Sequence, residues 1–476
     1  MGKYNKLAKN TGVFFIANFG SKVLTFLLVR FYTELLSPTE YGIIDLLNTT
    51  ASLAFPLVTL CITEAVLRFS IDDIDNRGKI LTNGVLVAVI GNLAFVLTAP
   101  IFLHIDNFAD NVVWLYLLTL TNSLFTVFAH FSRGIGKSKL FAASGLVHTA
   151  LQIGLNILFL LFFRWGITGY FIAAVLANVL SGVFVFTVGH LFSYIIFKLD
   201  RKYLRTMIIY ALPLIPNSVF WWIMQSSDRY VITYMLGSDA NGLYAVANKI
   251  PTIISTISSI FFQAWQISSV EEVNSKDKTI FYSRVFSVLS ALLTCATSFL
   301  LVILQPLYRV LTEESYYIGW VATPFLLFAM VFSCYSSFLG TNYVAMKKTT
   351  GVFLTTVGGA VINIVLNIFL TRPFGIIGTA VATGGIFYHM GRARFRNTPF
   401  CPNTLSVKNV YRSHGFIACA DSSFVRRRKF DLDTMYLFRG YSYSLYRHYR
   451  YVLQKGYFLR KELSEQEKSL IIEVVV

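Results

Sequence analysis

The chain has 476 residues, 55% hydrophobic and only 14% charged, with 41 lysines and arginines against 24 aspartates and glutamates for a formal charge of +17. A mean hydropathy of +0.60 excludes an ordinary water-soluble domain, and an integral membrane protein is expected.

Apolar segments follow one another through the first 385 residues, each long enough to cross a hydrocarbon core of ~30 Å as a helix. They run near Thr11 to Leu36, Tyr41 to Leu67, Ile80 to Leu103, Val113 to Phe131, Leu140 to Phe163, Ile167 to Phe197, Met207 to Leu236, Leu243 to Val270, Phe286 to Leu304, Ile318 to Leu339 and Gly351 to Leu370, with a short twelfth from Gly375. None alternates with a period of two, so a β-barrel is excluded and the expected fold is all-α and polytopic. The basic start MGKYNKLAKN is like the head of a signal peptide, but the run behind it is too long and ends in no small-residue cleavage site, so it is read as a retained first span. Cys61, Cys295 and Cys334 lie inside spans and only Cys401 and Cys419 outside them, which offers neither a disulfide framework nor a zinc spacing; no metal and no cofactor is expected.

Basic residues mark alternate joints. Lys3, Lys6 and Lys9 precede span one; Arg68, Arg77 and Lys79 follow span two; Arg133, Lys137 and Lys139 follow span four; Lys198, Arg201, Lys202 and Arg205 follow span six; Lys276, Lys278 and Arg284 follow span eight; Lys347 and Lys348 follow span ten. The other joints hold only Arg164, Arg309 and Arg372. By the positive-inside rule the amino terminus and every even-numbered joint are cytoplasmic, so much of the basic excess is a topology signal and no nucleic acid is needed as a partner.

The chain is duplicated. The stretch VRFYTELLSPTEYGIIDLLN (Val29 to Asn48) is echoed by DRYVITYMLGSDANGLYAVAN (Asp228 to Asn248). Asn18 pairs with Asn217 and Arg30 with Arg229 at a distance of 199, and Gly42 with Gly242 and Asn48 with Asn248 at 200. LNILFLLFFRWGITG (Leu155 to Gly169) likewise matches LNIFLTRPFGIIG (Leu366 to Gly378). Two copies of a six-span unit that each start and end inside share one topology, related by an axis along the membrane normal.

With the joints LSPTEYG and LGSDANGLY and the joint RGIGKSKLFA after span four, the first 385 residues resemble the multidrug/oligosaccharidyl-lipid/polysaccharide flippase superfamily, and within it the bacterial polysaccharide (O-antigen type) flippases. The resemblance implies two pseudo-symmetric six-helix lobes around a central cavity, residues 1–200 and 201–390. It implies a bacterial inner-membrane transporter, not an enzyme, that flips an undecaprenyl-diphosphate-linked oligosaccharide by alternating access. Membrane lipids are partners of such a protein, as is a coupling cation, proton or sodium.

The family pattern stops after GTAVATGGIFYHMG, where Arg392, Arg394 and Arg396 follow at alternate positions. The second lobe is therefore expected to be incomplete after about residue 388, leaving a basic non-membrane tail at residues 391–476. Two readings of that tail stand: a cytoplasmic segment whose RRRK (Arg426 to Lys429) meets anionic headgroups, or an altered reading frame.

Four basic residues fall within spans: Lys22 and Arg30 in span one, Arg229 in span seven and Lys249 in span eight. In the resembling family these spans line the cavity, and with Asn18 and Asn217 the four cations are assigned to a diphosphate headgroup, which arginine suits through forked, charge-assisted hydrogen bonds. Arg30 and Arg229 also lie within snorkelling reach of the headgroups, so for these two an anchoring role stands beside the ligand role. Asp228 and Asp45 are the candidates for ion coupling, and Asp45, Asn48, Ser52, Thr59 and Thr63 form a polar stripe along span two. Glu64 and Arg68 are read as a structural i, i+4 pair.

The rival readings are a cation-coupled multidrug exporter of the same superfamily, a membrane polymerase or acyltransferase, and an inactive remnant. The exporter calls for carboxylates in the first lobe where span one offers Lys22 and Arg30. The enzymes call for a catalytic cluster, and His130, His148 and His190 are scattered over different spans.

Overall fold

The computed structural model describes residues 28–196, 200–272, 275–345 and 349–396. Asn18, Lys22 and the tail beyond Arg396 lie outside the described residues.

A helix at 28–35 (α1) gives way to Ser37, which starts α2 (Pro38–Val58). The start is dictated locally: Ser37 Oγ accepts from the Glu40 N–H while Glu40 Oε2 accepts from the Ser37 N–H at 2.8 Å, with proline in the first turn. In the second repeat the same corner joins α11 (Leu214–Leu236) to α12 (Ser238–Ala247). It is turned by Gly237 at φ +92°, a conformation in which a side chain is strained.

The first turns of α2 and α12 cross at a reciprocal glycine contact. A Cβ on Gly42 would lie 2.0 Å from the Ser238 carbonyl oxygen, and one on Gly242 would lie 1.9 Å from that of Pro38. Ser238 is the repeat mate of Pro38, so the duplication read in the sequence is a two-fold-like contact in space. Asn241 Nδ2 donates to the Gly42 carbonyl at 2.8 Å, and the Thr39 hydroxyl bonds the Asp239 carboxylate across the same junction.

Both helices then break. Span two continues as α3 (Ile62–Asp72) beyond Pro56, with Leu60 and Cys61 at positive φ. Span eight continues as α13 (Pro251–Glu272), with proline at its first position. From here the partners diverge. The first lobe consists of α4 (Arg77–Val96), α5 (Ala99–Leu103), α6 (Asp106–Ala109), α7 (Val112–Gly134), α8 (Ser138–Asn156, running on as a π-helix over Ile157–Phe162) and α9 (Gly166–Val188). Within it α3 packs on α4 and α7, whereas α13 packs on α14 (Lys278–Val302) and α16 (Thr323–Ala345) of the second lobe. That lobe is completed by α15 (Leu304–Leu311), a 3-10 segment Glu314–Val321, and α17 (Thr349–Arg396).

The linking helix α10 (Arg201–Ala211) packs against α3 and α4 and buries Met207 and Ala211 in the first lobe's core with Ile62, Val66 and Ile80. Tyr203 donates to Asp73 at 2.8 Å; this bond and those from Asn76 hold the Asp73 carboxyl below its usual range.

Nine helical stretches among the described residues are long and apolar enough to cross a membrane, and the chain is a multi-pass membrane protein. The difference from twelve expected spans has three sources. Most of span one lies outside the described residues, neither α12 nor α13 of span eight is among the nine, and spans eleven and twelve are joined in α17, which kinks at Gly375 (φ +60°).

Three expectations are corrected. Span six was placed as far as Phe197, but α9 ends at Val188, where His190 turns at φ +51° and Lys137 Nζ takes the Gly189 carbonyl at 2.8 Å. Arg68 pairs with Asp72 at 3.0 Å instead of Glu64. The last helix does not fail near residue 388 but runs to Arg396. The cause is Arg394, 1% exposed, whose guanidinium donates to the Ser336 carbonyl (2.9 Å), Thr355 Oγ1 (3.0 Å) and Thr356 Oγ1 (2.8 Å). Hydroxyls and a carbonyl from α16 and α17 solvate a charge that hydrocarbon could not.

Candidate functional site

Asp228 and Arg229 stand in the middle of an apolar helix, where an ionised side chain costs roughly 2.5–3.5 kcal/mol or more unless it is compensated. Compensation comes from the other lobe and from the next helix. Arg229 Nε donates to Asp45 Oδ2 on α2 at 2.9 Å; its Nη1 donates to Asp228 Oδ1 at 3.0 Å and to the Gln225 carbonyl at 3.1 Å. Asp228 Oδ2 accepts from the Tyr244 hydroxyl of α12 at 2.6 Å. The side chains of Asp45 and Arg229 are 16% and 15% exposed and that of Asp228 6%. One guanidinium thus serves two carboxylates, and the cluster carries a net charge of −1.

Arg30, the repeat mate of Arg229, is not brought to this cluster. Its Nε pairs with Glu34 at 2.6 Å and its Nη1 donates to the Thr312 carbonyl at 2.5 Å, tying α1 to the joint after α15. Beside it the Glu313 N–H donates to Thr33 Oγ1 at 3.2 Å, and the Tyr316 hydroxyl donates to the Leu36 carbonyl at 2.8 Å. Asn217 is exposed in the first turn of α11, roughly 18 Å along the helix from Arg229.

Lys249 lies in the break between α12 and α13, half-buried, with Nζ 6.0 Å from the centre of the Tyr41 ring. Among the described residues no carboxylate is within ion-pair distance of it. Asn48 donates to the Tyr170 hydroxyl at 3.1 Å, and Tyr32 packs against both Tyr41 and Tyr170. Farther along α2, Trp222 Nε1 donates to Ser52 Oγ at 2.9 Å and Thr50 bonds the Tyr230 hydroxyl, so the middle of the polar stripe faces α11. Its lower end does not: Thr59 turns back to the Phe55 carbonyl at 2.7 Å.

A second polar group lies one residue from Asp228. Ser227 donates to Asn363 Oδ1 at 3.2 Å, as does Asn367 Nδ2 at 3.1 Å, which leaves Asn363 Nδ2 and Asn367 Oδ1 buried with no partner among the described residues. Among the described residues no group of three or more histidines, cysteines or carboxylates could hold a metal. The sequence did not single out Tyr244, Tyr170 or the Asn363–Asn367 pair. A signal existed for Tyr244, which stands where the first repeat has Ile44.

Two helix groups that meet along α2, α11 and α12 and share an ion-pair cluster make up a polytopic helical membrane protein. Solved structures agree. The lipid II flippase MurJ in an inward closed conformation matches with a TM-score of 0.69 at 14% identity, over 95% of this chain and 100% of its own. The MATE transporter ClbM in complex with Rb+ matches at 0.52 and 14% identity, over 86% and 97%. An inward-facing multidrug resistance MATE family transporter of the MOP superfamily matches at 0.59 and 13% identity, over 84% and 96%. At these identities the likeness establishes the fold alone. The sequence model of the family described as polysaccharide biosynthesis protein matches residues 7–266, more than half of the chain. The chain belongs to that family, and the resemblance drawn from its sequence is borne out. No curated protein matches it.

Proposed function

We propose that the protein flips an undecaprenyl-diphosphate-linked oligosaccharide across the bacterial inner membrane by alternating access, with its amino terminus in the cytoplasm. The observation that carries the substrate class is Lys249. Arg229 is neutralised by Asp45 and Asp228, whereas Lys249, at the break in span eight, has no acidic partner among the described residues. A cation held at the lobe interface without a carboxylate suits a phosphorylated headgroup, and Lys22 of span one is its counterpart from the first lobe. Arg30 and Arg229 serve as the lobe ties that this headgroup passes.

The alternating-access reading is supported by where the lobes touch. The contacts of Gly42 with Gly242's turn, Asn241 with Gly42, and Arg30 with Thr312 cluster at the end where α2 and α12 begin and continue between α2 and α11 through Thr50–Tyr230 and Ser52–Trp222, while α3 and α13 pack on separate neighbours. By the charge of the joints that end is the outer one, and the state is closed outside. Asp228, beside the half-satisfied amides of Asn363 and Asn367, and Asp45 provide the coupling of transport to a cation.

Binding of undecaprenyl diphosphate to the purified protein in nanodiscs tests the reading. Lys249→Gln is expected to weaken binding by about tenfold or more, the scale of one charge-assisted hydrogen bond, and Lys249→Arg to preserve it. Unchanged affinity in Lys249→Gln would remove Lys249 from the headgroup site.

A further inference from the structure

The Asp45–Arg229 pair joins helices of different lobes, and its two ends are held unequally. Arg229 is fastened to its own helix by Asp228 Oδ1 at 3.0 Å and the Gln225 carbonyl at 3.1 Å. Asp228 is fastened in turn by the Tyr244 hydroxyl at 2.6 Å. All of these groups lie on α11 and α12 and move as one. The Asp45 carboxylate is bonded, among the described residues, only by Arg229 Nε at 2.9 Å. If the lobes part at the α2–α12 end, the guanidinium keeps a carboxylate and Asp45 keeps none.

Among the described residues, the other titratable groups near Asp45 offer no substitute. Tyr41 on its own helix and Tyr170 on α9 interact with it but carry no positive charge. Asp228 repels it. Lys249 sits in the joint after α12 and leaves with that helix. The neighbouring helices α6 and α7 present Phe108, Leu115 and Leu118 to this core. A bare carboxylate at this depth requires a positive charge from solution.

We infer that Asp45 is the cation acceptor of the transport cycle, exchanging the Arg229 guanidinium for one monovalent cation, a proton or sodium, each time the outer side opens. The exchange balances. The closed cluster of Arg229, Asp228 and Asp45 has a charge of −1; on opening, Arg229–Asp228 is neutral, and Asp45 with its cation is neutral. On closing, the Nε–H bond to Asp45 re-forms and the cation is released. Tyr244 is a positioning residue, because its bond to Asp228 Oδ2 keeps Oδ1 turned to Arg229. The inference rests on the alternating-access reading above.

Spin labels at Arg164→Cys and Val310→Cys, exposed positions at the outer ends of the two lobes, report the opening by pulsed electron spin resonance on the full chain in nanodiscs, with Cys295→Ser to remove an exposed thiol. A pH series without sodium and a sodium series at pH 8 distinguish the two cations. The longer distance is expected to gain population with the coupled cation, by up to about tenfold in the open-to-closed ratio per pH unit for one proton. In Asp45→Asn the ratio is expected to become independent of both cations. Asp228→Asn is expected to stay closed throughout, since Arg229 then has no carboxylate to leave with. An Asp45→Asn protein that keeps the wild-type response, or a wild-type protein that responds to neither cation, overturns the inference. Added undecaprenyl diphosphate separates it from the substrate reading: a response to lipid but to no cation removes Asp45 and keeps the flippase, and a response to cation but not to lipid does the reverse.

Discussion

Asp45 and Asp228 stand where the other repeat has Ala245 and Val29, and Lys249 where it has Thr49. The cluster is therefore made of the positions at which the two copies differ, while the arginine they share has been put to two uses. Arg229 joins buried carboxylates between the lobes; Arg30 is 42% exposed and bonds Glu34 and a backbone carbonyl. Repeat alignment finds shared residues well, but a pairing that depends on unshared ones becomes visible only when the helices are assembled. Arg394 makes the same point. Three alternating arginines read as the end of a helix, yet while Arg392 is exposed, Arg394 is enclosed by Ser336, Thr355 and Thr356, with Gly340 leaving room for the guanidinium. Arg394→Ala is expected to destabilise the protein by about 2–4 kcal/mol, through a cavity and orphaned hydroxyls, and Arg392→Ala to leave it unchanged. Thermal unfolding in detergent checks both, and equal melting temperatures would show that the helix end does not depend on Arg394.

At the scale of elements, the boundary between lobes is built from α2 and α12, and the small residues of LSPTEYG and LGSDANGLY explain it. Each glycine admits the carbonyl of the other helix's first turn within 2.0 Å of where a Cβ would be. Gly42→Ala and Gly242→Ala are each expected to force the helices apart and cost about 1–3 kcal/mol. Gly385→Ala, with nothing within 4 Å, is expected to be neutral or slightly stabilising. Unfolding midpoints of the three variants decide it; a Gly42→Ala protein as stable as Gly385→Ala would mean that the first turns do not meet. The helices that cross the membrane were legible from apolar length, and their order from the joints. The breaks were legible only in part: Pro56 and Pro251 mark bent helices, but the turns fall at Thr59–Cys61 and Asn248–Ile250, at different distances into the two repeats. Where a helix gives way depends on which carbonyls find other partners. For α10 the sequence showed only a basic joint opening the seventh span, whereas Tyr203, Met207 and Ala211 fasten it to the first lobe.

For the molecule as a whole, composition, joint charge and duplication specify a duplicated polytopic helical protein, the resemblance adds the flippase superfamily, the family match over residues 7–266 agrees with it, and the MurJ and MATE likenesses agree in fold. The glycine contact of α2 with α12, the ion pair between α2 and α11 and a Lys249 with no acidic partner among the described residues belong to one arrangement of the two helix groups. The substrate is the link that sequence patterns leave open, because sugar recognition is spread over many weak contacts, whereas a diphosphate needs only a few cations at membrane depth. The measurement to make first is translocation of a fluorescent undecaprenyl-diphosphate-linked oligosaccharide in proteoliposomes, read by its accessibility from outside. Wild-type protein is expected to move the lipid, Lys249→Arg to retain the rate, and Lys249→Gln to lose about tenfold or more. A rate equal to that of protein-free vesicles, with export of a cationic dye driven by a proton or sodium gradient, would contradict the flippase and establish the exporter in its place.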